Sequence, residues 1–171
     1  MPRISKSLLA AWAITVLVGS CLHFLYTLLP NPITALIAPV NESLWEHIKI
    51  LYWPCLIAGI FLNRADPAGR TLRSLLLLVL PAAMLGIGYL YHVVLEGDRL
   101  IVDVALYVLL MTIYFLLPNW LGECGTPRAG RILSLLVAVL GIVILFFTFQ
   151  PPSNILFQDL SSPFLSTSLP C

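Results

Sequence analysis

Charge is what this chain has least of: its 171 residues include nine lysines and arginines and eight acids, 10% of the sequence, against 60% hydrophobic residues. A soluble domain carries about 25% charged residues, so the composition excludes an ordinary globular domain in water. It also leaves no basic patch for a nucleic acid, and no nucleic-acid partner is expected. The four cysteines contain no C-x-x-C pair and make no disulfide or zinc framework. Cys21 and Cys55 fall inside apolar runs, where a free thiol packs as a small hydrophobe, while Cys124 and Cys171 lie in a loop and at the far end. Neither H-E-x-x-H nor H-x-x-E-H occurs, and nothing resembles a phosphate loop, a dinucleotide fingerprint or a nucleophile elbow.

What the chain does have is apolar length, with a mean hydropathy of +0.98. Five runs reach or approach the roughly 20 helical residues that cross a hydrocarbon core. They are Leu8–Leu29, Leu44–Leu62, Leu75–Leu95, Leu100–Leu117 and Ile132–Phe149, the last two short enough to imply little tilt. Arg3 and Lys6 precede the first run, and Val18-Gly19-Ser20-Cys21 resembles a lipoprotein cleavage box. That run nevertheless continues through Leu29, so it reads as an uncleaved span. The expected fold is all-α: one integral membrane bundle of five transmembrane helices over 1–149, with 150–171 an outer tail packed over its mouth.

Basic residues orient the bundle. Arg3, Lys6, Arg64, Arg70, Arg73, Arg128 and Arg131 fall on one side, and Lys49 and Arg99 on the other. The richer side should be cytoplasmic, placing the N-terminus inside and the C-terminus outside. On that reading all three histidines and six of the eight acids lie in the outer half.

The densest polar segment is Asn41-Glu42-Ser43-Leu44-Trp45-Glu46-His47-Ile48-Lys49, at the start of the second span. Ser43-x-x-Glu46 fits a capping box, with Asn41 or Ser43 as the cap. Helical spacing would put Glu42, Glu46 and Lys49 on one face, with His47 turned about 100° from Glu46. In the third span His92 and Glu96 are four apart, in the fourth Asp103 lies a turn in, and in the first His23 lies two turns below the end. Ionisable groups at membrane depth point first to function.

Imidazoles and carboxylates together suit a divalent metal such as zinc. The candidate ligands are His23, His47, His92, Asp103 and Glu96. Glu46 is the candidate base toward bound water, with Glu42 and Lys49 as further catalytic candidates. Structural roles compete for the same residues. Lys49 can neutralise Glu46, His92 can bond Glu96, Arg99 can pair with Asp103, and acids at helix starts favour the positive end of the dipole. Trp12, Trp45, Trp53 and Trp120 read chiefly as interfacial anchors.

The stretch Asn41-Glu42-Ser43-x-Trp45-Glu46-His47-x-Lys49, with His23-Phe24-Leu25-Tyr26 before it and Pro151-Pro152…Phe157-x-Asp159 after it, resembles an uncharacterised family of small bacterial multi-pass membrane proteins. The resemblance covers nearly the whole chain and implies a bacterial cytoplasmic-membrane protein in which His23, Glu46, His47 and the tail form one unit. It implies no reaction. The residues themselves leave three functions open: a metal-dependent hydrolase at the outer leaflet, a non-catalytic subunit docking a protein partner through its tail, and a small proton-linked transporter. Membrane lipids are partners in every case.

Overall fold

The first helix starts where Ser5 accepts a hydrogen bond from the Leu8 N–H at 3.1 Å, satisfying one of the orphan donors of a helix start. In the computed structural model, which describes residues 5–122 and 125–161, this helix is α1 (Lys6–Leu28). Glu123, Cys124 and the end of the tail, including Phe164, Leu165 and Cys171, lie outside the described residues. Pro30-Asn31-Pro32 ends α1 and begins a short α2 (Pro32–Ile37), capped reciprocally by Asn31 and Thr34. Then follow α3 (Leu44–Ala65), α4 (Arg70–Tyr89) with a π-helical turn at Leu90–Val94, α5 (Leu100–Leu121), α6 (Pro127–Phe149) and a 3-10 turn at Ile155–Phe157. No strand occurs among the described residues, and five of their helices are long and apolar enough to cross a membrane.

Two spans are longer than the sequence suggested, at 22 residues for α5 and 23 for α6. The fourth run was expected to end at Leu117, yet Pro118 lies buried inside α5. Thr126 caps α6, accepting from the Ala129 N–H at 3.2 Å, so Arg128 and Arg131 belong to the helix rather than to the loop before it. The Ser43-x-x-Glu46 box forms only half-way. Ser43 Oγ accepts from the Glu46 N–H at 3.3 Å, but the Ser43 N–H goes to Asn41 Oδ1 at 3.1 Å.

α4 packs against α3, α5 and α6, and α1 leans on α3 and α5. A short turn joins α4 and its π turn to α5, and the two pack together as an antiparallel hairpin. Without a hydrophobic force between helices in lipid, close backbone approach and interhelical hydrogen bonds must hold the bundle. Three tyrosines supply the bonds: Tyr52 donates to the Val137 carbonyl at 2.6 Å, Tyr107 to Val16 at 2.9 Å and Tyr114 to Cys55 at 2.8 Å. Each accepting carbonyl points up its helix toward a glycine, Gly141, Gly19 or Gly59, whose missing side chain admits the hydroxyl. At Gly19 the approach is tighter still, because a Cβ there would collide with both Tyr107 Oη and the Ile50 carbonyl. That carbonyl lacks its usual helical donor because Pro54 stands four residues on.

The two ends of the bundle differ in chemistry. At one, the buried Arg73 guanidinium is held by Asn63 Oδ1 at 2.9 Å, the Asp66 carbonyl at 2.8 Å and Asp66 Oδ2 at 2.6 Å. At the other lie the three histidines.

Candidate metal centre

Ser43, as the cap, leaves Glu42 just outside α3 rather than on its face. Glu42 therefore does not line up with Glu46 and Lys49, and turns to the histidines. His47 Nε2 lies 3.3 Å from Glu42 Oε2, and His23 Nε2, from α1, lies 3.8 Å from the same oxygen. The two imidazoles meet edge to face with centroids 5.1 Å apart. One ligating atom from each of the three residues falls within 4.8 Å of the others. Donors about 2.1 Å from a tetrahedral zinc stand about 3.4 Å apart, so both histidine–glutamate separations are close to what an ion would set. The three side chains are 27%, 48% and 23% exposed for His23, Glu42 and His47, so the cluster opens to the surface.

His47 Nδ1 lies 2.8 Å from the Ser43 carbonyl oxygen, one turn back on its own helix. A carbonyl can only accept, so Nδ1 donates to it, and Nε2 is the nitrogen that faces Glu42: an imidazolium donates a second proton there, and a neutral ring presents a lone pair. A lone pair facing a carboxylate oxygen calls for a cation between them, either a proton or a metal. Orientation of a ligating histidine by a backbone carbonyl is a usual outer-shell arrangement in metal sites. Glu42 shows the same electrostatics. The hydrogen bond from His47 and the positive field of His47 and His23 hold its carboxyl below the usual carboxylate range, against the opposing effect of partial burial.

Glu46 and Lys49 form a separate, closed system one turn along α3. Lys49 Nζ donates to Glu46 Oε2 at 2.6 Å, to the Ala35 carbonyl at 2.8 Å and to the Ala38 carbonyl at 3.2 Å. Glu46 Oε2 also accepts from the Val40 N–H at 2.9 Å, and Oε1 from the Thr148 hydroxyl at 3.3 Å. Both side chains are buried. The pair ties α2, α3 and α6 together. Thr148 escaped the sequence reading, although a hydroxyl near the end of the most apolar run was the visible signal.

His92 does not bond Glu96. Its Nδ1 lies 2.8 Å from the Gly97 carbonyl and its Nε2 2.8 Å from Asp103 Oδ1. The helical spacing that would align His92 with Glu96 fails because regular helix stops at Tyr89, and Glu96 stands exposed in left-handed backbone at φ 51°. Arg99, expected beside Asp103, lies 4.0 Å from Asp98 in an exposed pair.

Aromatic rings cover the neighbouring surface. Phe157, from the 3-10 turn, packs against Trp45 with centroids 4.9 Å apart and against Phe147 at 5.5 Å.

No curated protein and no solved structure matches this chain. A family model does match, over residues 1–163, and the chain therefore belongs to that family, described as a family of unknown function (DUF6512).

Proposed function

We propose that this is a bacterial cytoplasmic-membrane protein that binds a divalent metal ion such as zinc through His23, Glu42 and His47. The ion would serve a hydrolase acting on a lipid or envelope substrate at the outer leaflet. The orientation rests on the basic residues: Arg64, Arg70, Arg73, Arg128 and Arg131 gather at the end opposite the histidines. The observation that carries the metal is the convergence of ligating atoms of His23, Glu42 and His47 within 4.8 Å of one another, with His47 oriented by its Nδ1 bond to the Ser43 carbonyl so that Nε2 faces Glu42.

Two imidazole nitrogens and one carboxylate oxygen are a donor set used by catalytic zinc, with one position left for water. Zinc in such a site brings its bound water to a pKa of about 7 and polarises an ester or amide carbonyl. The half-exposed Glu42 leaves the open position accessible from the surface. A proton-linked carrier is the weaker reading. Among the described residues the opposite end offers one acid, Asp66, and Arg73 holds it at 2.6 Å.

Elemental analysis of detergent-purified protein tests the metal. About one zinc per chain is expected, lost in both His23→Ala and His47→Ala. Wild-type protein without metal above background, or zinc retained in both folded variants, would end this reading.

A further inference from the structure

Of the two histidines in the proposed centre, only His47 has its ring oriented by a hydrogen bond among the described residues, the one from Nδ1 to the Ser43 carbonyl at 2.8 Å. Glu42 hangs beside the same cap, so these two groups arrive together at the start of α3. His23 comes from a different helix. Its ring stacks on Phe24, meets His47 edge to face, and brings Nε2 to 3.8 Å from Glu42 Oε2. Whatever places α1 against α3 therefore decides whether the third ligand reaches the other two.

α1 is held at few points. Of its 23 residues only Thr15 and Gly19 are buried. Thr15 turns its hydroxyl to the Ala11 carbonyl of its own helix at 2.7 Å, whereas Gly19 meets two other helices. From α5 comes Tyr107 Oη, which donates to the Val16 carbonyl at 2.9 Å. From α3 comes the Ile50 carbonyl, left without its helical donor by Pro54. Only a hydrogen fits at Gly19, because a Cβ would collide with both oxygens.

This contact lies one turn from the candidate centre along both helices. His23 is four residues beyond Gly19 on α1, and His47 is three residues before Ile50 on α3. Such spacings keep each histidine on the face that carries the contact. The two helices run in opposite directions, so both steps lead to the histidine end, where the rings meet with centroids 5.1 Å apart.

We infer that Gly19 is a positioning residue of the metal centre: by letting α1 touch the Ile50 carbonyl of α3, it holds His23 within reach of Glu42 and His47. The inference rests on the metal reading of that cluster. A methyl at position 19 must push α1 away by about 1 Å to reach ordinary contact with that carbonyl. A metal site holds its ligand distances to about 0.2 Å, so a shift of this size is decisive. Glu42 and His47 both belong to the start of α3, and the displacement falls on His23.

Zinc affinity of detergent-purified protein, measured by competition with a chromogenic chelator, tests this. Gly19→Ala should weaken binding about 10–100-fold, the range for groups that act through a ligand. Cobalt bound in place of zinc should show an altered visible spectrum in this variant, as water replaces one imidazole. Gly59→Ala meets the same kind of obstacle, the Tyr114 hydroxyl, about 18 Å along α3 from His47. It should keep wild-type affinity and the wild-type cobalt spectrum. Tyr107→Phe removes one of the two obstacles at Gly19 and leaves the Ile50 carbonyl. The pair Gly19→Ala/Tyr107→Phe should therefore bind zinc more weakly than Tyr107→Phe alone, and it carries the test if Gly19→Ala does not fold. In zinc-free protein, proton NMR should show the His23 and His47 rings in contact in wild type and apart in Gly19→Ala.

Unchanged affinity in Gly19→Ala, equal affinity in the pair and Tyr107→Phe, or an equal loss in Gly59→Ala would each overturn the inference. If wild type binds no zinc, the metal reading fails. The ring contact then still decides whether Gly19 places His23, and its persistence in Gly19→Ala would show that it does not.

Discussion

Replacing Lys49 by methionine strands a carboxylate. Lys49 is 0% exposed and Glu46 3%, so neither charge has water to fall back on. Without the ammonium, Glu46 keeps the Val40 N–H and the Thr148 hydroxyl, two neutral donors for a full charge. Two carbonyls, Ala35 and Ala38, also lose their side-chain donor at the end of α2. Breaking a buried pair by removing one partner costs about 3–5 kcal/mol, and the lost carbonyl bonds argue for the upper part of that range. Glu46→Gln should cost less, about 1.5–3 kcal/mol, because the amide oxygen still accepts from Lys49 and the ammonium keeps its two carbonyls. The double variant buries no charge at this site, so the two losses should not add, and a coupling of about 1–3 kcal/mol is expected. Reversible unfolding in mixed micelles, followed by helical circular dichroism, measures all four proteins. Single variants within about 0.5 kcal/mol of wild type, or strictly additive losses, would refute a structural role for the pair.

Three further outcomes follow from the packing and the cluster. Gly59→Ala places a methyl where the Tyr114 hydroxyl reaches the Cys55 carbonyl. Loss of that bond with the carbonyl still buried should destabilise the bundle by about 1–3 kcal/mol, read by the same unfolding assay, and Tyr114→Phe should erase most of the difference. Glu42 has a lowered pKa in the folded protein, so the stability it adds is complete above its ordinary value of 4.5 and fades as pH falls through the lowered value. Glu42→Gln should therefore flatten the acid limb of the stability profile, and an unchanged limb would contradict the His47–Glu42 bond. Phe157→Ala should shift Trp45 emission to the red as water reaches the indole, since their rings stand 4.9 Å apart. An unshifted spectrum would mean that the tail does not cover that surface.

The spans were legible because lipid imposes one rule, apolar length, and the sequence obeys it five times. Their ends were not: the fourth run was expected to end at Leu117, yet α5 continues through the buried Pro118. In the cluster, the outcome turned on a single residue. Had Asn41 been the cap, Glu42 would have shared a face with Glu46 and Lys49. With Ser43 as the cap, it stands off the helix and meets His47 instead. The His92–Asp103 pair depends on the register between two helices, which the π turn at Leu90–Val94 sets, and no hydrophobic period announces such a turn. Lys49 with Glu46 was foreseeable from their three-residue spacing, but the carbonyls at the end of α2 that complete the site were not, since α2 is a six-residue helix outside every apolar run.

The closed pair and the open cluster are mechanically linked. Glu46 Oε2 grips the Val40 N–H at 2.9 Å, and Asn41 Oδ1 grips the Ser43 N–H at 3.1 Å. Glu42 therefore hangs from a segment fixed on both sides, and the fixing on one side is done by the carboxylate that Lys49 neutralises. Outer-shell groups of this kind typically change metal affinity about 10–100-fold when removed. Lys49→Met, studied below its lowered unfolding midpoint, should weaken zinc binding by a factor in that range and leave the stoichiometry at about one per chain. Glu46→Gln, which can still accept from both Val40 and Lys49, should weaken it far less. Equal affinity in wild type and Lys49→Met would show that Glu42 finds the histidines without that anchor. Loss of stoichiometry, rather than affinity, would mean that Lys49 holds the fold of the end itself and not the position of one ligand.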